Sequence, residues 1–152
     1  MELNVYARGN VVGTCTIEDQ GLYWTVHCIC RKYTAQPVRL YGAGCNLGII
    51  EPQRDHLVLH RKVSKSGLPG FPPKTECVLR PVTETTVEVC GIRLSGDVAD
   101  EECGTNLYIP FENDQTHPCI SLMCFWYLRN GFWVLSLNNR GEPTFPEDTC
   151  FR

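Results

Sequence analysis

The chain has 152 residues, 43% of them hydrophobic and 20% charged, and a formal net charge of −3 at neutral pH. This balance excludes long disorder and argues against a nucleic-acid binder, and it fits one globular domain or two small lobes sharing a core. The opening MELNVYARGN lacks a basic stretch followed by an apolar run, and the longest apolar run, 120–128, is too short to cross a bilayer. The expectation is a cytoplasmic protein without a membrane partner.

Ten cysteines stand at 15, 28, 30, 45, 77, 90, 103, 119, 124 and 150 with no CxxC pair. In a reducing compartment such thiols act as small core hydrophobes. The charge is uneven: residues 1–65 carry eight basic and five acidic groups, whereas 66–152 carry six and twelve.

In chain order, residues 11–30 (VVGTCTIEDQGLYWTVHCIC) place a turn, EDQG, between two segments of period-2 alternation, which predicts a β-hairpin. Pairing Ile17 with Leu22, Cys15 with Trp24, Gly13 with Val26 and Val11 with Cys28 keeps one face apolar. Cys28 and Cys30 then share the inward face of Trp24, while Tyr23, Thr25, His27, Ile29 and Arg31 project outward. His27, Cys28 and Cys30 therefore do not converge on one ion, and no metal is expected there.

Three short strands follow at 37–42, 46–52 and 55–63, completing an N-terminal β-meander lobe over 1–63. YGAGCNLG at 41–48 is glycine-rich, but no helix start follows it, so it reads as a turn and not a phosphate loop. His56 and His60 lie on one face of the third strand. Four positions along a strand span roughly 13 Å, too far for one ion. Residues 31–65 gather Arg31, Lys32, Arg39, Arg54, Arg61, Lys62 and Lys65 against Glu51 and Asp55, a face suited to an anionic partner.

SKSGLPGFPPK at 64–74 reads as a Pro/Gly-rich linker, and 75–152 as a C-terminal β-rich lobe. Within that lobe 85–96 is β-like, 97–104 is an acidic loop or one helical turn, and 106–111 is a short strand. Asp97, Asp100, Glu101 and Glu102 lack the order of a calcium loop. Asn130-Gly131 then sits between apolar segments, the dipeptide of a two-residue hairpin turn. Its register pairs Leu128 with Trp133, Trp126 with Leu135, Cys124 with Leu137 and Tyr127 with Val134, apolar on both faces and so covered on both. The competing reading is a helix over 118–128 followed by a lone strand. Phe125, Trp126, Phe132 and Trp133 also raise the expectation of a homodimer or protein partner at this hairpin.

The succession GLYW, CICRKY, VRLYG, NLGIIEP, LVLHRKVS across residues 21–64 resembles uncharacterised small proteins of clostridial gut bacteria. The resemblance implies a bacterial cytoplasm and no particular activity.

The fold expected is mainly β: antiparallel sheets built from hairpins, as a sandwich or partly open barrel, with room for one short helix in the second half. The function expected is a small soluble binding or interaction module without catalysis or cofactor. Its partner is a protein or a small anionic ligand, taken on Tyr23, His27, Arg31, His56, His60 and Lys62 if their strands are neighbours. The alternative is a cysteine-dependent or metal-assisted hydrolase. Cys45 is then the nucleophile and His27, His56 or His60 its base.

Overall fold

The computed structural model of the chain describes residues 1–68, 71, 76–101, 104–110, 120–130 and 132–145. It divides into two compact units, Met1–Thr83 and Glu84–Arg152. Both are antiparallel-rich β-sheets, as the hairpin-dense sequence predicts.

The first unit is a seven-stranded sheet of β1 (Glu2–Ala7), β2 (Asn10–Gln20), β3 (Tyr23–Arg31), β4 (Val38–Gly42), β5 (Cys45–Ile50), β6 (His56–Ser64) and β7 (Cys77–Pro81). Their spatial order is β5-β4-β7-β1-β2-β3-β6, with only β1 and β7 parallel. Just β1 to β3 run as a meander. The β4–β5 hairpin lies at the far end of the sheet, and β6 returns to pair with β3. Because β7 is inserted between β4 and β1, the division between units falls after Thr83, downstream of the 64–74 segment expected to mark it. Within that segment Lys65–Gly67 is a 3-10 turn and Phe71 is buried; residues 69, 70 and 72–74 lie outside the described set.

The sheet curls until its two edge strands face each other. Across the seam Arg61 Nη1 donates to the carbonyl of Leu47 at 3.4 Å, and a Cβ at Gly48 would stand 3.5 Å from Leu59 Cδ2. The result is a nearly closed barrel. Its interior holds Val5, Ile17, Val26, Leu40, Leu47, Leu57 and Leu79, all within 2% of complete burial. Burial of side chains this size is worth roughly 1.5–3 kcal/mol each, which is ample for a core without a covalent staple.

The first hairpin departs from the expected register. Gln20 pairs with Tyr23, Ile17 with Val26, Cys15 with Cys28 and Gly13 with Cys30, so every partner lies four residues further along β3 than in the sequence-based pairing. The turn is Gly21-Leu22, not EDQG. Gly21 adopts φ 80° at the first turn position, the place glycine takes in a type II′ turn, and its N–H donates to Asp19 Oδ1 at 3.0 Å. Strand alternation thus continues through Glu18, Asp19 and Gln20. A four-residue shift preserves parity, so Cys15, Ile17, Val26, Cys28 and Cys30 are buried as expected, with Trp24 packed against them. Val11 and Leu22, expected on the same apolar face, are instead exposed: Leu22 lies in the turn, and past the irregularity in the β1–β2 pairing Val12 is buried in place of Val11.

The second unit is a five-stranded antiparallel sheet of β8 (Thr85–Val89), β9 (Ile92–Glu101), β10 (Gly104–Pro110), β11 (Trp126–Arg129) and β12 (Phe132–Leu137), in the order β11-β12-β10-β9-β8. The acidic segment is not a loop. Asp97, Asp100 and Glu101 belong to β9, with Asp97 buried opposite Tyr108; Glu102 is outside the described residues. Alternation with Val98 and the small Ala99 lets these carboxylates sit in a strand, which their polarity had hidden.

Around Asn130 the expected register holds: Trp126 faces Leu135, Tyr127 faces Val134 and Leu128 faces Trp133. Cys124 instead lies in a 3-10 segment, Ile120–Phe125, interrupted at Leu122, so its expected pairing with Leu137 is not made. Residues 118–128 are therefore a short 3-10 segment leading into a strand over the described part. On β12 both faces are buried, Val134 on one and Leu135 on the other, but on β11 Trp126 is buried while Leu128 is 54% exposed, so the expected cover on both faces holds for β12 and not for the whole pair. Trp126 and Phe132 are buried and Phe125 and Trp133 half-buried, whereas Met123 and Leu128 are exposed. No helix among the described residues is long and apolar enough to cross a membrane.

Candidate functional site

The antiparallel pairing of β3 with β6 brings the six sequence-predicted residues onto one outward face. Tyr23 stands opposite Ser64, Thr25 opposite Lys62, His27 opposite His60, Ile29 opposite Val58 and Arg31 opposite His56. β2 extends the same rows with Gln20, Glu18, Thr16 and Thr14. The strip thus runs from Tyr23 at one end to Arg31 and His56 at the other, with an apolar waist at Ile29 and Val58. Tyr23 and Ile29 are each 46% exposed and give the strip some apolar surface.

His27 and His60 are the closest-knit pair on this face, their ring centroids 5.1 Å apart and their planes inclined at 48°. His60 is exposed and His27 half-buried. Among the described residues, Arg31, His56 and Lys62 carry no ion pair and no side-chain hydrogen bond. Glu18 lies in the row of Thr25 and Lys62 and is the nearest carboxylate in register. The net character of the strip is cationic.

The face beneath is sulfur-rich. Cys28 and Cys30 Sγ lie 3.5 Å apart, and Cys15, opposite Cys28, exchanges thiol hydrogen bonds with Cys28 and Cys77. Cys15 accepts from both, which lowers its pKa, whereas donation to Cys15, aided by burial, pushes Cys28 and Cys77 above the ordinary thiol range. All four are no more than 1% exposed, so they are core groups without a path for substrate. No three or more His, Cys, Asp or Glu side chains among the described residues converge to hold a metal ion.

Cys45, the nucleophile of the hydrolase alternative, sits at the start of β5, partly packed against the barrel core, and its Sγ donates to the carbonyl of Ala43 at 3.9 Å. Neither His27, His56 nor His60 makes a hydrogen bond to it.

Thr25, Ile29, Val58 and Glu18 also lie on this face but are not among the binding residues expected from the sequence. They were on its outward parity already. What the sequence did not reveal was that β6 follows β3 in space despite the β4–β5 hairpin between them in the chain.

Compared with known protein families, with curated proteins and with solved structures, the chain matches none.

Proposed function

We propose that this chain is a small β-rich binding module whose outer β3–β6 strip takes an anionic partner. The observation that supports it is the gathering of Arg31, His56, His60, His27 and Lys62 on two adjacent strands, with Arg31, His56 and Lys62 unpaired among the described residues. Unpaired cations on a rigid sheet are pre-organised donors, so an anion gains charge-assisted hydrogen bonds at little ordering cost. Tyr23 and Ile29 add apolar contact area beside them. This reading goes with reduced thiols and a bacterial cytoplasm, the setting implied by the resemblance of residues 21–64.

The test is a backbone and side-chain NMR titration with inorganic tripolyphosphate at low and high sodium chloride. Shifts centred on Arg31, His56, His60 and Lys62 that fade as the Debye length contracts to about 3 Å near 1 M salt support the reading. Shifts elsewhere, or a strip that ignores tripolyphosphate at low salt, overturn it.

A further inference from the structure

The geometry points to a two-histidine site for a divalent first-row transition ion on the outside of the barrel, formed by His27 of β3 and His60 of β6. The two residues are directly opposite in an antiparallel ladder, so their Cβ atoms emerge side by side on the same face. With metal–nitrogen bonds of about 2.0–2.1 Å and a ring radius of about 1.1 Å, two imidazoles chelating one ion at a near-tetrahedral angle have centroids about 5 Å apart. The observed separation is 5.1 Å, and the 48° tilt leaves neither ring stacked flat on the other. The pair is thus already spaced for a shared ion.

Its surroundings are compatible with that use. His60 is exposed and His27 half-buried, so an ion can arrive from solvent, whereas the four core thiols are sealed. Neither imidazole is committed to a hydrogen bond with another described residue. Thr16 beside His27 and Thr25 in the next row are small, leaving room for water or a bound anion in the remaining coordination positions. Imidazole ligands with open oxygen positions suit Cu2+, Ni2+ and Zn2+ and not Ca2+ or Mg2+, and the Irving–Williams order ranks Cu2+ first. His56 is no part of it, since it stands opposite Arg31, two rows away. Spacing along the sequence weighs His27 with Cys28 and Cys30, and His56 with His60, each within one strand; the pair that meets comes from two strands. This inference does not depend on the anion-binding reading.

The experiment uses Ni2+, which broadens nearby NMR signals and so locates itself even if exposed thiols also bind metal. NiCl2 is titrated into the 152-residue chain and into His27→Gln, His60→Gln and His56→Gln variants, each checked for native circular dichroism. At low Ni2+ the broadening is expected at His27, His60, Thr16, Thr25 and Lys62. Affinity at these signals should fall about tenfold or more in either of the first two variants, because the second ligand's effective concentration is lost. The His56→Gln variant should stay within twofold of the parent. Broadening at His56 equal to that at His27 and His60, or less than twofold loss from the His27 and His60 substitutions, overturns the site.

Discussion

Replacing Gly13 with alanine should cost the first unit much of its stability. A Cβ built at Gly13 would lie 2.1 Å from the carbonyl oxygen of Ile29, 2.5 Å from Cys30 Cα and 2.8 Å from Cys30 Sγ, and the two nearest are backbone atoms of the paired strand. Ordinary contact begins near 3.4 Å, so β2 and β3 must separate by about 1.3 Å here. A ladder hydrogen bond of about 2.9 Å does not survive that displacement. Losing two such bonds at about 1 kcal/mol each, together with overpacking of about 1–3 kcal/mol, gives an expected loss of about 3–5 kcal/mol. For a unit of this size each kcal/mol corresponds to roughly 4–8 °C, so Tm should fall by at least about 12 °C. Gly67→Ala, where a Cβ meets nothing within 4 Å, is the matched control and should change stability by less than about 0.5 kcal/mol. Thermal and urea unfolding followed by circular dichroism measure both. A Gly13→Ala protein as stable as the control would refute the pairing of Gly13 with Cys30, and with it the register of the first hairpin.

Among the described cysteines, alkylation of the native protein, mapped by mass spectrometry, should modify Cys90 and Cys124 first and leave Cys15, Cys28, Cys30 and Cys77 until the chain unfolds; early labelling of any of these four contradicts the barrel interior. Cys90 adopts φ 51° before Gly91, so Cys90→Asn, better suited to that backbone, should stabilise by roughly 0.5 kcal/mol, read from the urea midpoint; a lowered midpoint contradicts the turn. Asp19 is held below the ordinary aspartate range, first by Lys65 and then by the Gly21 amide. A depressed carboxyl stabilises the fold above its unfolded pKa and loses that contribution as pH falls through the folded one, so Lys65→Met should raise the Asp19 NMR titration midpoint toward the ordinary value. Leu107→Ala, fully buried in the second sheet, should cost about 2–5 kcal/mol; a smaller loss means that β10 is not central.

Parity was legible in the sequence because it depends only on alternation. That is why Cys28 and Cys30 are buried and His27 faces outward even though the first register was wrong. Register depends on the turn, and there the informative signal is a glycine in one of two linking positions. Arg8-Gly9, Ala43-Gly44 and Cys90-Gly91 each supply two consecutive positive φ values at a hairpin. Only Asn130-Gly131 advertised itself through asparagine, and its register was the one read correctly. Non-local pairings left no trace at all: nothing in the order of residues says that β7 enters between β4 and β1, or that His60 comes to rest against His27. Polarity misleads at Asp97, where a carboxylate buried opposite Tyr108 carries the sequence pattern of an acidic loop.

Arg61 occupies a position on β6 that alternation assigns to the interior, opposite the fully buried Val26, yet it is exposed and reaches Leu47 across the opening. A foreign strand seeking the free edge of β6 would have to bury that guanidinium or displace it, and either is costly. One arginine thereby closes the barrel against its own far strand while denying the same edge to neighbouring molecules, so resistance to strand-by-strand aggregation in this unit rests on a side chain that contributes little to the core.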